Sequence, residues 1–222
     1  MSSLPVLSQI ATALGVASVS ALAAPQRLKG IGESLAPLLS LSWGVLFGSQ
    51  VWVSLVSGIT MFRTVPRHTF GKLQSKLFPA YFQLSTICSS LLTIATAALM
   101  PSNRLLHTCA GLSLASSLVN LVYLEPQTTA TMYERHAIER ELGIGVSMKD
   151  DPATVEMAKA NTELQRLNKK FGMYHGISSL SNLIGLVALF PFAWAIKPAC
   201  LSVAPTSPSG PPSRHVIYKI DM

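Results

Sequence analysis

The stretch FRTVPRHTFGKLQSKLFPAYF, residues 62–82, carries five basic or histidine side chains between two long uncharged segments. Neither the segment 35–62 nor the segment 77–103 contains Asp, Glu, Lys or Arg. The segments 105–124 and 171–196 also lack these charged residues. The four segments are 28, 27, 20 and 26 residues long. A helix of about 20 apolar residues crosses the ~30 Å hydrocarbon core of a bilayer. Each segment is therefore long enough to span a membrane, and the basic stretch connects the first two.

The composition of the whole chain agrees with this. Of its 222 residues 49% are hydrophobic and only 12% are charged, against roughly 25% charged residues in a soluble domain. Backbone groups in lipid must be hydrogen-bonded within the spanning element, which favours helices. We predict an all-α integral membrane protein with four transmembrane helices in a compact bundle, a membrane domain over 35–196 and a helical connection over 125–173. The predicted spans are 38–61, 79–100, 105–124 and 174–196.

The distribution of basic residues predicts the orientation of the bundle. With four spans, the connections 63–76 and 125–170 lie on one side, and they carry 11 of the 17 Lys and Arg residues. The positive-inside rule places them in the cytoplasm, and the short acid-free connection 63–76 decides this. The net charge of +7 does not predict nucleic-acid binding, because the basic residues are at helix ends and are not interleaved with aromatic residues.

The two ends of the chain differ from the spans. Residues 1–24 are apolar and contain Ala21-Leu22-Ala23, which suits cleavage of a signal peptide before Ala24, although no Lys or Arg precedes the apolar run. An organellar transit peptide and a fifth hydrophobic helix are the other interpretations. Residues 197–222 form a Pro- and Ser-rich tail, and its segment 204–213 is predicted to be disordered. An endomembrane or the plasma membrane is favoured over an organellar membrane.

The spans contain no recognisable catalytic, cofactor or metal motif. Cys88 and Cys109 fall inside spans, where they are interpreted as small buried hydrophobic residues. Small residues four apart, as at Gly44 and Gly48, predict close helix packing. The few polar residues within the spans either bond helices together or line a polar path. They are Gln50, Gln83, His107, Asn120, His175 and Asn182.

The connections are predicted to contain further helices. Pro66 interrupts the helix that leaves the first span, and an interfacial helix over about 69–77 would direct Lys72 and Lys76 towards anionic lipid headgroups, or would simply anchor the bundle. In the long connection, Asp151 is a predicted N-cap with Pro152 behind it, and Gly172 and Gly176 are expected to interrupt the following helix. An apolar stripe is predicted to contact the other helix of the connection, a partner helix or a second copy of the chain. It comprises Met157, Ala160, Leu164, Leu167 and Phe171.

Three stretches carry a resemblance to a known family. PRHTFGKLQSKLFP, LEPQTT and YHGISS occur in the order and with the spacing of the eukaryotic transmembrane protein 205-like family, and the similarity extends from about residue 38 to 190. The resemblance implies a four-helix integral membrane protein, but it supplies no catalytic residue.

All three stretches map to the predicted cytoplasmic ends of the spans, so a functional site, or a set of contacts that closes the bundle, is expected there. Glu125 is expected to pair with Arg63 or Arg67. The residues of this candidate cluster are Arg63, Arg67, His68, Lys72, Lys76, Glu125, Tyr174, His175 and Asn182.

These features favour a non-enzymatic protein that acts in membrane organisation or trafficking through its cytoplasmic face. The alternative is a small oligomeric transporter, or transport accessory, with a polar path in the cytoplasmic half of the bundle. A membrane enzyme that uses His68, Glu125 and His175 as acid and base is the third interpretation.

Overall fold

The computed structural model describes residues 9–10, 12–18 and 35–201, and the side chains of the last range as far as residue 196. In these ranges it is helical and contains no strand. The elements are α1 Ala36–Thr64, α2 Arg67–Leu99, α3 Arg104–Glu141, α4 Pro152–Ala160, α5 Thr162–Ala188 and α6 Phe190–Leu201. Four helical segments are long and apolar enough to cross a membrane, namely α1, α2, α3 and the segment from α5 into α6. The predicted fold class is confirmed.

The second span is the centre of the bundle. Of its most apolar window 72% is buried inside the chain, against 11% for that of α1. α1 and α3 pack on α2, α5 packs on α3, and α5 touches α1 only lightly. The contact between α1 and α5 is therefore much lighter than the contacts of α2 with α1 and α3 and of α3 with α5.

Two helices extend further than the sequence predicts. α2 begins at Arg67, directly after Pro66, and continues through Pro79, so the expected interfacial helix is the first part of α2. α3 continues past Glu125 to Glu141. A helix of this length measures about 57 Å at 1.5 Å per residue, nearly twice the ~30 Å hydrocarbon core. The polar distal half of α3, Glu125–Glu141, therefore extends beyond the membrane-spanning part.

The last span is also continuous where a break was expected. α5 passes through Gly172 and Gly176 without interruption. The helix breaks at Leu189 instead, because Pro191 has no N–H for the carbonyl of Val187 and its ring clashes with that carbonyl. At this break the Trp43 indole N–H donates to the Leu189 carbonyl over 2.9 Å, which attaches α1 to the last span.

The long connection is helical, as predicted, but its apolar stripe is not a free surface. Asp151 caps α4 by accepting from the N–H of Ala153, and Asn161 ends α4 and caps α5. The break shifts the helical register, so Met157 is exposed whereas Leu164 and Leu167 are buried within the chain. Those two residues are therefore not available to a partner helix or a second copy.

The glycines of the spans differ in how closely other helices approach them. A Cβ on Gly44 or Gly48 would meet open space, so these glycines do not mark a close helix contact. A Cβ on Gly185 would lie 3.0 Å from Ser116 Oγ and 3.2 Å from Gln50 Nε2, which shows a close approach of α5 to α3 and α1. Cys88 and Cys109 are buried, as predicted.

The terminal predictions concern residues that are mostly not described. Residues 12–18 are helical, and the Ser18 hydroxyl donates to the Ser90 carbonyl of α2 over 3.0 Å. The other residues of the segment 1–24, apart from 9–10, and the tail from residue 202 onward lie outside the described residues.

Candidate functional site at the connection end

The predicted cluster is divided between different places at one end of the bundle. We call this the connection end, because the α1–α2 turn at Val65 and Pro66 and the α3–α5 connection both lie there. Lys72 and Lys76 are exposed, and Tyr174 packs edge-on against Tyr123 at 6.3 Å. Four of the predicted residues line one cavity: Arg63, Glu125, His175 and Asn182. Arg67 and His68 belong instead to a charged cluster around Glu139.

The cavity is a groove of about 570 Å³ between α1 and α5, which we call the α1–α5 groove. α1 and α2 supply most of its apolar wall, with Val53, Leu55, Ile59, Phe62, Phe70 and Phe78. The opposite wall, from the distal half of α3 and from α5, carries Glu125, Thr128, Thr129, His175, Ser178 and Asn182. Leu183 and Leu186 of α5, and Arg63 and Gln74 of α1 and α2, also line the groove, so it combines aromatic and aliphatic surface with hydrogen-bonding groups.

Asn182 closes one part of this groove through a hydrogen-bond network. Its Oδ1 accepts from Gln50 Nε2 at 3.0 Å and from the Tyr81 hydroxyl at 2.7 Å. Its Nδ2 donates to Ser54 Oγ at 2.9 Å. One amide thus joins α1, α2 and α5, which supports the interpretation of the in-span amides as links between helices.

The predicted ion pair of Glu125 is wrong. No ion pair joins Glu125 to Arg63 or Arg67 within the described residues; its Oε1 accepts from the Thr129 hydroxyl at 2.7 Å. The reason is that α3 continues as a helix past Glu125 and brings Glu139 alongside the start of α2. Arg67 pairs there, at 3.4 Å from Glu139 and 3.9 Å from Asp150.

Two π-helical segments adjoin the groove. Trp52–Ser57 in α1 contains groove residues, and Asn120–Leu124 in α3 directly precedes Glu125. A π turn inserts an additional residue into a helix and is frequent at functional sites. Sequence reasoning predicted neither segment.

The charged cluster is built on Glu139, whose side chain is 1% exposed. Its Oε1 is 3.1 Å from Arg135 Nη2 and 3.4 Å from Arg67 Nη2. Its Oε2 is 2.8 Å from His68 Nε2 and 3.9 Å from His136 Nε2. The carboxylate therefore presents one oxygen to two guanidinium groups and the other to two imidazoles.

Two glycines make this arrangement possible. A Cβ on Gly71 would lie 2.6 Å from both His136 Cε1 and Met132 Sδ, so only glycine lets α3 approach α2 this closely. Gly145 has a φ of +77°, and a Cβ there would lie 2.7 Å from His68 Nε2. Its carbonyl accepts from the His68 N–H at 2.9 Å and its N–H donates to Asp150 Oδ1 at 2.7 Å. The loop after α3 is thus held over the cluster.

The cluster also fixes the protonation of one imidazole. Burial, with a smaller effect from the neighbouring His68, lowers the pKa of His136 to about 4. His136 is therefore neutral at pH 7, the state in which histidine binds metals. The ligand atoms of His68, His136 and Glu139 lie within 4.8 Å of one another, so these residues could hold a metal ion.

Sequence reasoning identified His68 but missed His136 and Glu139. The available signal was the spacing His-x-x-Glu over 136–139, which places both side chains on one face of a helix. The structure also separates His68 from Glu125 and His175, the other members of the acid–base group considered for an enzyme.

Comparisons with known proteins agree with the fold. The family model described as a domain of unknown function (DUF4149) matches residues 41–137. Transmembrane protein 205 of Danio rerio is 30% identical over 162 residues, which cover 68% of this chain and 84% of that protein. Xanthocillin biosynthesis cluster protein D of Aspergillus fumigatus is 26% identical over 170 residues, which cover 77% of this chain and 94% of that protein. No solved structure matches the chain.

The extent of the first relative's match, together with the four apolar helices, confirms the resemblance seen in the sequence. The chain belongs to the transmembrane protein 205 family of multi-pass membrane proteins.

Proposed function

We propose that this protein is a non-enzymatic membrane protein that binds an amphipathic molecule in the α1–α5 groove and takes part in its transport. The observation that carries the proposal is the lining of one groove of about 570 Å³, which combines apolar side chains, mostly from α1 and α2, with polar groups, mostly from α3 and α5. Sites for small molecules have volumes of about 300–1,000 Å³ and combine an apolar lining with a few convergent polar groups.

The two walls indicate the chemistry of the ligand. An apolar tail would pack on the α1 and α2 side chains, among them Phe62 and Phe78. The head would meet Glu125, which is the only acid among the described residues that line the groove; its second carboxylate oxygen, Oε2, has no hydrogen bond to any of the described residues. We therefore expect a head that donates hydrogen bonds, such as a primary amine.

The groove residues support binding better than catalysis. A catalytic acid and base must lie within hydrogen-bond reach of the reacting group and are commonly oriented by a third group. No hydrogen bond links Glu125 to His175 within the described residues; Glu125 is bonded to Thr129, and His175 is stacked on Phe171 at 5.5 Å.

A second candidate function is membrane organisation or trafficking, and the connection end favours it. The distal half of α3, with α4 and the start of α5, projects beyond the apolar part of the bundle as a packed helical unit. Such a unit offers a surface to a protein partner without any ligand in the groove.

Photolabelling tests the transport proposal. The full chain in lipid nanodiscs is exposed to a photoactivatable long-chain primary amine, and the labelled peptides are identified by mass spectrometry. We expect label on the α1 and α5 peptides that line the groove. The N-trimethyl analogue, which has no N–H, should label them more weakly.

Matched variants complete this test. Hydrogen bonds to charged groups are worth about 1.5–3 kcal/mol, so Glu125→Gln should reduce labelling about tenfold or more. Glu141→Gln, which changes an exposed acid outside the groove, should label as wild type does. Equal labelling of Glu125→Gln and wild type would contradict the proposal.

A further inference from the structure

The charged cluster has the donor set of a transition-metal site. Two imidazole nitrogens and one carboxylate oxygen come from the start of α2 and from one face of the distal half of α3. In a tetrahedral site with bonds of about 2.0–2.1 Å, neighbouring ligand atoms are roughly 3.3 Å apart. Here Glu139 Oε2 is 2.8 Å from His68 Nε2 and 3.9 Å from His136 Nε2. Small side-chain rotations would therefore bring the three atoms to ligand spacing.

The guanidinium groups orient the carboxylate instead of blocking it. Arg135 and Arg67 both contact Oε1, so Oε2 remains directed at the imidazoles. Ligating carboxylates are commonly held by such outer hydrogen bonds. The side chain of Arg67 is also 44% exposed, so it can move towards solvent when a cation adds positive charge.

The cluster is accessible to a small ion. A cavity of about 150 Å³ beside α4 and the start of α5 is lined by Glu139, Asp150 and Arg67, among other residues. The His68 side chain is 13% exposed, whereas Glu139 is 1% exposed. The buried carboxylate thus adjoins a cavity, and His68 is the more exposed of these two ligands.

We propose that His68, His136 and Glu139 bind a divalent first-row transition-metal ion of borderline softness, with zinc as the representative ion. Imidazole and carboxylate ligands suit zinc, and three protein ligands leave a fourth position for water. The ion would take the place of the proton between His68 and Glu139: in the neutral imidazole this proton would move to Nδ1, and Nε2 would bind the ion. It would join the start of α2 to α3, at the place where Gly71 lets the two helices meet.

Zinc binding by the purified full chain tests this proposal. The protein is treated with a chelator, dialysed and titrated with zinc by calorimetry, with metal content measured by mass spectrometry. We expect one zinc ion per chain. Changes to outer partners of metal ligands cost about 10–100-fold in affinity, so loss of a ligand in His68→Gln or His136→Gln should cost about 100-fold or more.

A control variant separates this site from weak surface binding. His107→Gln should bind zinc as wild type does, because His107 is at the opposite end of α3, where its Nε2 contacts the Met100 carbonyl. Zinc binding that is not reduced in His68→Gln and His136→Gln, or a stoichiometry far below one, would overturn the proposal.

A second measurement applies if a histidine variant does not fold. Cobalt bound to the wild-type chain in a tetrahedral site should give intense visible d–d bands that zinc abolishes by competition. Absence of these bands at one equivalent of cobalt would overturn the proposal without any variant. Glu125→Gln should retain full zinc binding, so failure of the metal site and failure of the groove are distinguishable.

Discussion

Gly71 lies where α2 and the distal half of α3 are closest, and the absence of a side chain there decides the position of His136. A Cβ would lie 2.6 Å from His136 Cε1 and from Met132 Sδ. Such distances are too short for real contacts, so the side chains of His136 and Met132, or the helix that carries them, would have to move. The position of the charged cluster thus depends on a residue that makes no polar contact with it.

Gly71→Ala should therefore destabilise the protein. Overpacking of this kind costs about 1–3 kcal/mol, and we expect a lower melting temperature in detergent. Gly172→Ala is the matched control, because a Cβ there meets nothing within 4 Å. Alanine favours a helix interior over glycine by about 0.5–1 kcal/mol, so this variant should be as stable as wild type or more stable. An equal decrease in both variants would show that the close approach at Gly71 does not matter.

Glu139 is the other residue on which the cluster depends. Removing one partner of a buried ion pair costs about 3–5 kcal/mol because the remaining charge stays buried, and Arg135 is only 11% exposed. We expect Glu139→Ala to lower the free energy of unfolding by about this amount in the presence of a chelator. Glu134→Ala breaks a half-exposed pair with Lys170 and should cost about 0–1 kcal/mol. Chemical denaturation of both variants measures the difference, and similar losses would contradict a buried network.

At the scale of the helices, the sequence predicts which segments span the membrane more accurately than where they end. The four uncharged segments match the four spans because the lack of charge over 20 or more residues is a strong physical requirement of lipid. Pro66 ends a helix, Pro79 lies inside one and Pro191 follows a break. Packing decides among these outcomes, since the helix around Pro79 is held by the buried Tyr81 and Phe82. No local pattern reports that packing.

The sequence was sufficient to predict which end of the bundle carries the candidate site, but not which side chains contact one another there. The resemblance and the basic stretch both indicated the connection end, where the α1–α5 groove and the charged cluster are found. The partner of Arg67 could not be predicted, because it depends on how far α3 extends past Glu125. A longer helix brings Glu139 to Arg67, whereas a helix ending at the membrane would have left Glu125 as the nearest acid.

Asn182 should be the strongest single link between helices. Asn182→Ala removes the acceptor of the Tyr81 hydroxyl and the donor to Ser54, whereas Gln50 keeps the Asn182 backbone carbonyl. Buried polar groups without a partner cost about 1–3 kcal/mol. We expect a clear decrease in melting temperature. Ser179→Ala, at an exposed position of the same groove wall, should have little effect. If both variants melted at the wild-type temperature, α5 would not depend on this network.

At the scale of the whole molecule, the orientation in the membrane remains a proposal from the basic residues. The end of α1 and the start of α2 meet at Pro66 and lie at the connection end, together with the loop between α3 and α4. We expect this end to face the cytoplasm. A glycosylation acceptor inserted after Met148 should stay unmodified, while one inserted after Ser102, at the opposite end, should be glycosylated. The reverse pattern would show that the bundle has the opposite orientation in the membrane.

The α1–α5 groove unites the observations at all three scales. At the residue scale, Glu125 and Asn182 give the groove polar groups. At the scale of the helices, the light contact between α1 and α5 leaves the groove open. In the whole molecule, the groove lies at the border of the apolar spans. The central claim is that an amphipathic molecule occupies it.

The most direct measurement is an electron cryomicroscopy structure of the full chain in lipid nanodiscs, bound to a rigid antibody fragment that adds mass. We predict an elongated non-protein density between α1 and α5, with its head at Glu125 and its tail along Phe62 and Phe78. A map in which α1 packs directly on α5 and Glu125 contacts only protein groups would contradict the account.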